Sequence, residues 1–134
     1  MYLEEFSKVL RERAHWTHNI IKKGVFHHLG IMEETLTDMH LLSIADAYSD
    51  FVLTKKFSRR EEGSKSGADW LWLIGEPGSW IPLLIQAKII NPKTGNCQRL
   101  DYKNGEQRKK LLAFARQYRL VPIYLIYSFI PSFF

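Results

Sequence analysis

Apolar residues recur at helical spacing in the first third of the chain and at strand-like spacing in the middle. Residues 2–23 carry them mostly on one side, and Gly24 is predicted to end this helix. Residues 33–48 form a second predicted helix. Its apolar stripe, at positions i, i+3, i+4 and i+7, consists of Leu41, Ile44, Ala45 and Tyr48.

Three strand-like segments follow, and then a further helix and a further strand. The three strands are predicted at 51–60, 67–74 and 80–90, the helix at 105–118 and the last strand at 121–127. The first segment is charged and is expected at a sheet edge. Pro77 and Gly78 separate the second and third segments, which predicts an antiparallel hairpin. The chain is therefore predicted to be an α/β (α+β) protein, with a mixed central sheet flanked by helices and an extra N-terminal helix.

The composition favours one compact domain. With 134 residues, 46% of them hydrophobic, the chain has room for a single core. We expect an N-terminal helical extension at 1–30, a core at 31–127 and an apolar tail at 128–134. Cys97 is the single cysteine, which excludes an intramolecular disulfide and a cysteine-rich zinc site and favours the cytoplasm.

Neither secretion nor a membrane partner is expected. The first residues lack the basic start and continuous apolar stretch of a secretory signal. The longest uncharged run, 120–134, is too short for a spanning helix and contains two prolines.

The net charge of +5 is unevenly distributed. Residues 1–50 hold 5 basic and 8 acidic side chains, whereas the remainder holds 14 basic and 6 acidic ones. Three basic clusters contribute to this excess: Lys55-Lys56, Arg59-Arg60 and Arg108-Lys109-Lys110. Solvated faces of opposite charge are one interpretation, and an acidic metal site between basic walls that bind a polyanion is the other.

One carboxylate continues the apolar stripe of the second helix. Glu34 lies seven residues before Leu41 and only about 20° from it around the helix axis, so Glu34 is predicted to face inward. Glu33 is predicted to point away from the core. The alternative explanation is that Glu34 only complements the positive end of the helix dipole.

Polar side chains also interrupt the apolar strands and the helix after them. Asp69 stands in the second strand, and Gln86 and Lys88 share one face of the third. Gln107 lies one turn before Leu111 and is predicted to face inward. Buried polar groups are costly unless they are paired or bound, so a metal or partners are expected here. The alternatives are an ion pair between Asp69 and Lys88 across the hairpin, and a satisfied helix-start role for Gln107.

The segments around Asp69 and around Gln86 and Lys88 resemble a known sequence signature. Gly67-Ala68-Asp69-Trp70 and Ile85-Gln86-Ala87-Lys88 resemble the D…(D/E/Q)-x-K signature of the PD-(D/E)xK, or restriction-endonuclease-like, nuclease superfamily. The predicted order of elements matches its α-β-β-β-α-β core. Glutamine before the x-K pair is similar to the variant in type IV restriction nucleases. No proline precedes Asp69, which departs from the full signature.

A narrower resemblance spans residues 30–127. It is to an uncharacterised bacterial family with EE(S/T)xTD, GADW and QAK motifs. The matching positions are Glu33-Glu34-Thr35-Leu36-Thr37-Asp38, the two segments above, Tyr102, Gln107 and Pro122-Ile123-Tyr124.

The resemblance implies metal-dependent hydrolysis of phosphodiester bonds, with Mg²⁺ or Mn²⁺ as cofactor. Asp69 would be the principal metal ligand, with Glu34 as a second carboxylate. Gln86 would offer its amide oxygen, and the Ala87 carbonyl is a further candidate. Because glutamine removes a negative charge, weaker metal binding and greater dependence on Glu34 are expected.

The resemblance also assigns roles around the phosphate. Lys88 would hold the attacking water and stabilise the transition state, and Gln107 would orient water or phosphate. The basic clusters would contact the backbone of a nucleic acid, DNA more than RNA, in a restriction or defence context.

Two other functional classes stay open. A nucleic-acid-binding module of the same fold without catalysis is the first, suggested by Gln86. The second is an interaction subunit whose aromatic end docks on a partner or forms a homodimer. That end contains Tyr124, Tyr127, Phe129, Phe133 and Phe134.

Overall fold

The computed structural model describes residues 2–61, 65–91, 94–96 and 102–129. These residues form four helices and four strands. In chain order they are α1 (Tyr2–Phe26), α2 (Glu33–Ala47), β1 (Val52–Lys56), the single turn α3 (Arg59–Glu61), β2 (Trp70–Glu76), β3 (Ser79–Ile89), α4 (Tyr102–Tyr118) and β4 (Val121–Tyr127). The predicted mixed α+β class and order of major elements are confirmed.

The strands form one mixed sheet in the order β1-β2-β3-β4. The first three are antiparallel neighbours, and β4 returns parallel to β3 after α4. The predicted hairpin is present, with Glu76 opposite Ser79 across a two-residue turn. The strand β1 lies at an edge, as its charged sequence predicted.

Helices cover both faces of the sheet. Alternation along β2 and β3 sends one set of apolar side chains toward α1 and α2 and the other toward α4. The larger core, on the α1 and α2 face, is centred on Phe6, Val9, Leu36, Ile44, Trp70, Trp72, Ile74, Ile85 and Ala87. The smaller core, under α4, contains Ala68, Leu84, Leu111 and Ala115. The same alternation decides which polar residues of β3 face α4.

Several predicted boundaries are wrong. The second strand begins at Trp70 and not at Gly67, and α4 begins at Tyr102 and not at Gly105. Two further differences have a clear physical cause. The first helix continues past Gly24 to Phe26. Gly24 is buried inside the helix, and a Cβ there would lie 2.7 Å from the Leu29 carbonyl oxygen. Glycine is needed for that close approach and not to end the helix. The strand predicted at 51–60 ends at Lys56, because the chain then makes the turn α3.

Cys97 and the end of the aromatic tail, residues 130–134, lie outside the described residues. Among the described residues, no helix is long and apolar enough to cross a membrane.

Candidate active site at the open edge of strand β3

Strand β3 extends beyond its neighbour β2. The pairing of the two strands ends where Trp70 lies opposite Ile85. On the other edge, β4 continues to pair with β3 as far as Ile89. The Asp69 N–H still donates to the Ile85 carbonyl oxygen at 2.7 Å, so the backbone groups of Ala87 and Ile89 point toward the edge that β2 has left. These groups need partners from outside the sheet.

Two carboxylates provide those partners. One oxygen of Asp69, Oδ2, accepts the Ala87 N–H at 2.7 Å. One oxygen of Glu33, Oε2, accepts the Ile89 N–H at 2.9 Å. Neither Asp69 Oδ1 nor Glu33 Oε1 has a hydrogen-bond donor among the described residues. The open edge therefore holds two neighbouring carboxylates, each with one oxygen left for a ligand.

The electrostatics of Glu33 reflect this position. Burial raises the pKa of its carboxyl group above the ordinary value. The Ile89 N–H and the Lys88 ammonium act in the opposite direction, while the nearby Asp69 and Glu34 carboxylates raise the pKa further. Asp69, Lys88 and Glu33 are thus close enough to interact.

The side chains of Gln86 and Lys88 lie beside Asp69 on the α4 face of β3. Gln86 is 1% exposed, and its Nε2 lies 3.4 Å from Asp69 Oδ2. Lys88 is 6% exposed, and its Nζ donates to Gln107 Oε1 at 3.0 Å. This bond confirms the inward orientation of Gln107. Neither Asp69 nor Lys88 belongs to an ion pair among the described residues, so the proposed cross-strand pair is not formed.

Gly67 brings α4 close to this edge. Its φ is +64°, and a Cβ on it would lie 2.5 Å from the Gln107 carbonyl oxygen and 2.8 Å from the Leu111 nitrogen. Both atoms belong to the backbone of α4 and cannot move independently of the helix. A side chain at Gly67 would therefore push away the helix that carries Gln107.

We expect Gly67→Ala to lower the free energy of unfolding by about 2–4 kcal/mol, because it adds backbone strain to a clash with α4. Gly95→Ala is the matched control, since Gly95 also has a positive φ (+73°) but a Cβ there would meet no atom within 4 Å. The control should cost only about 1 kcal/mol. Urea titration of both variants measures the difference, and equal losses would contradict the close-approach explanation.

The predicted orientation of the two glutamates is wrong. The Glu34 side chain is 61% exposed and pairs with Arg59, whereas Glu33 reaches β3. The prediction placed the inward face of α2 from apolar residues alone. Thr37 and His40 are also buried, which rotates that face toward Glu33, four residues before Thr37 and seven before His40.

Tyr127 is a neighbour of the site that sequence reasoning did not assign to it. Its hydroxyl lies 2.8 Å from Thr37 Oγ1. Burial raises the pKa of the Tyr127 hydroxyl, and the Asp69 and Glu33 carboxylates raise it further. In the sequence Tyr127 is one of several apolar and aromatic residues of a strand, and nothing in that pattern indicates a contact with Thr37. Thr37 and Tyr127 join α2 to the end of β4 and so help to hold Glu33 in place.

Several residues of the basic clusters form ion pairs with carboxylates. Lys56 pairs with Asp38, and Arg59 pairs with Glu34, so β1 and α3 neutralise carboxylates of α2. Lys110 pairs with Glu106 within α4. The side chains of Lys55, Arg60, Arg108 and Lys109 are exposed. Arg108 and Lys109 follow Gln107 within one turn of α4, but their side chains project about 100° and 200° away from it around the helix axis.

The oxygen atoms at the open edge of β3 are of the chemical type that binds a hard divalent cation. Asp69 and Glu33 each present one oxygen that has no hydrogen-bond donor among the described residues, and the Ala87 carbonyl points to the same edge. Among the described residues, no group of three or more His, Cys, Asp and Glu side chains is arranged to hold a metal. A metal here would rely on two carboxylates together with neutral oxygen ligands.

Comparison with known proteins identifies the chain at the level of a family. No curated protein matches it. A family model described as a family of unknown function, DUF6615, matches residues 6–132. The chain therefore belongs to the family DUF6615.

Proposed function

We propose that the protein is a metal-dependent nuclease, hydrolysing phosphodiester bonds of nucleic acid at the open edge of β3, with DNA the preferred substrate. The observation that carries this proposal is the grouping of two carboxylates, Asp69 and Glu33, with the buried ammonium of Lys88 held by Gln107. The order of elements and the sequence resemblance to PD-(D/E)xK nucleases support the same chemistry.

The metal would be held by oxygen atoms along the open edge. Asp69 and Glu33 supply the negative charge, and the Ala87 carbonyl is the neutral candidate. Gln86 would have to turn its amide group over to offer its oxygen, because its nitrogen is the atom near Asp69. A bound Mg²⁺ or Mn²⁺ lowers the pKa of water and offsets the charge of the reacting phosphate. Since Gln86 replaces an acid of the superfamily signature, the charge of Glu33 matters more in this chain.

Lys88 supplies the positive charge of the proposed site. Gln107 Oε1 accepts from its Nζ and restricts where the ammonium lies. A preorganised cation can stabilise the negative charge that develops on the phosphoryl oxygens and orient a water molecule for attack. Gln107 is a positioning residue in this arrangement, because it contacts Lys88 and acts on the reacting phosphate only through that ammonium.

Nucleic acid would approach over the start of α4. Arg108 and Lys109 are exposed there, one and two residues after Gln107. Such cations contact phosphates without reading bases. Lys56 and Arg59 contribute less in this proposal, because Asp38 and Glu34 already neutralise them.

A catalytically inactive nucleic-acid-binding module is the second candidate. The observation in its favour is that Gln86 stands at an acid position of the signature and directs its amide nitrogen toward Asp69. In that case the protein would bind nucleic acid without needing metal and would not cleave it.

The experiment is an incubation of purified protein with supercoiled plasmid and with single-stranded RNA, in Mg²⁺, in Mn²⁺ and in EDTA. We expect cleavage that EDTA abolishes. A double variant, Asp69→Asn with Lys88→Met, purified in parallel, controls for contaminating nucleases. Equal cleavage by both proteins would reject the proposal, and metal-independent binding without cleavage would favour the inactive module.

A further inference from the structure

A second concave site lies between α1, α2 and the sheet. It is a cavity of about 200 Å³, and its lining is mainly apolar. Leu10, Ile44, Trp70, Trp72 and Leu125 contribute apolar walls. The cavity is separate from the open edge of β3, although Tyr127, a neighbour of that edge, also lines the cavity. The proposed nuclease chemistry makes no use of this space.

Arg13 is the charged residue of the cavity lining. No carboxylate pairs with it among the described residues, and burial lowers the pKa of its guanidinium. The side chain is nevertheless held in place. Its Nε–H donates to His40 Nδ1 at 2.9 Å, and its guanidinium carbon stacks 4.3 Å from the centre of the Trp16 ring.

His40 acts as a neutral acceptor for Arg13. Because Arg13 can only donate, His40 Nδ1 carries the lone pair and Nε2 carries the proton. Nε2 then donates to Thr17 Oγ1 at 2.7 Å, and that hydroxyl donates to the Arg13 carbonyl oxygen at 2.8 Å. The hydrogen bonds of His40 and Thr17 are satisfied in this way, and neither group cancels the charge of Arg13.

The guanidinium keeps a free edge for a ligand. Nε is committed to His40, and Nη1 makes only a long contact of 3.5 Å with Ser43 Oγ. Nη2 has no hydrogen-bond acceptor among the described residues. The planar fork of an arginine suits a carboxylate, which can accept two parallel hydrogen bonds.

The charge of Arg13 decides which ligands suit the cavity. A cationic ligand would be repelled by Arg13. An acid would bring acceptors for the guanidinium and a compensating negative charge.

We propose that this cavity binds a small aromatic carboxylate, with the ring among the apolar walls and the carboxylate on Arg13. The volume limits the ligand to about one ring. It exceeds the roughly 150 Å³ of an apolar cavity known to hold benzene, but lies below the about 300–1,000 Å³ typical of drug-sized ligands. This inference is independent of the proposed nuclease activity.

Benzoate is the probe, and benzamide is its neutral analogue of nearly the same shape. Titration of the full chain, followed by tryptophan fluorescence and by calorimetry, should give saturable binding of benzoate. Benzamide should bind about tenfold more weakly, because it lacks the charge that Arg13 recognises. Binding that is equal for the two probes, or no saturation with benzoate, would overturn the proposal.

Three variants locate the binding in the cavity. Arg13→Gln should weaken benzoate binding by about tenfold while leaving benzamide nearly unchanged. Arg11→Gln, on an exposed position of the same helix, is the matched control and should bind benzoate like the wild type. Ala14→Leu narrows the cavity from an exposed, helix-compatible position and should weaken both probes. Undiminished benzoate binding by a folded Ala14→Leu variant would also reject the assignment.

Discussion

Glu33→Gln is expected to lower metal-dependent cleavage by about a hundredfold or more, whereas Glu34→Gln should change it by no more than about twofold. A hundredfold loss corresponds to about 2.7 kcal/mol of transition-state stabilisation. The charge of Glu33 lies at the open edge of β3 and interacts with Asp69 and Lys88. Glu34 instead lies in an exposed ion pair with Arg59, a kind of contact that contributes little.

The substitution is chosen to preserve the fold. A glutamine at position 33 can still accept the Ile89 N–H through its amide oxygen, so the edge of β3 keeps that partner. Cleavage rates should be measured at several Mg²⁺ concentrations, because loss of a ligand charge also weakens metal binding. A loss confined to Glu34→Gln would restore the assignment made from the sequence and contradict the one made from the structure.

The stability of the protein is expected to fall as the pH decreases from about 6.5 to about 4. His40 causes this dependence. Burial, and to a lesser extent the Arg13 charge, lower the pKa of its imidazole from 6.5 to about 4. Between these pH values His40 is protonated in the unfolded chain but neutral in the folded protein. Acidification therefore favours unfolding. The stabilisation lost is roughly 3 kcal/mol and is complete once the pH is below the folded pKa.

Urea titrations at a series of pH values, with the wild type and with His40→Asn, measure this effect. The variant keeps an acceptor for Arg13 but has no imidazole. The comparison is needed because Glu33 acts in the opposite direction. Its pKa is raised in the folded protein, so protonating it at pH values near and above 4.5 favours the folded state. If the difference between the two proteins does not vary between pH 6.5 and 4, His40 is not the group responsible.

The elements of the sheet were predictable because their physical basis is local. Trp70, Trp72 and Ile74 alternate with less buried residues, and the burial pattern of β2 follows that alternation. Pro77 and Gly78 identify the hairpin, and β4 has the predicted bounds. Predicted boundaries were wrong where a contact with another part of the chain decides where the element ends. At Gly24, for example, the absence of a side chain lets the Leu29 backbone approach the helix.

Much of the candidate site was also predictable from its polar residues. Asp69, Gln86, Lys88 and Gln107 interrupt apolar patterns, and the folded chain brings them into two adjoining contacts. The wrong prediction is the orientation of the glutamates of α2, because the inward face of that helix was predicted from its apolar stripe alone. Thr37 and His40 are polar in sequence but buried in the protein, since Tyr127, Arg13 and Thr17 satisfy them.

The sequence by itself determined the periodicity of the helices and strands, the hairpin and the polar positions that face α4, because each depends on the geometry of a single element. Only the tertiary structure decided which glutamate reaches the open edge of β3. It also decided that Arg13 borders a cavity and has no carboxylate partner within the described part of the chain. Both depend on partners far away in the chain: Ile89 is 56 residues from Glu33, and His40 is 27 from Arg13. Periodicity within one helix carries no information about such partners.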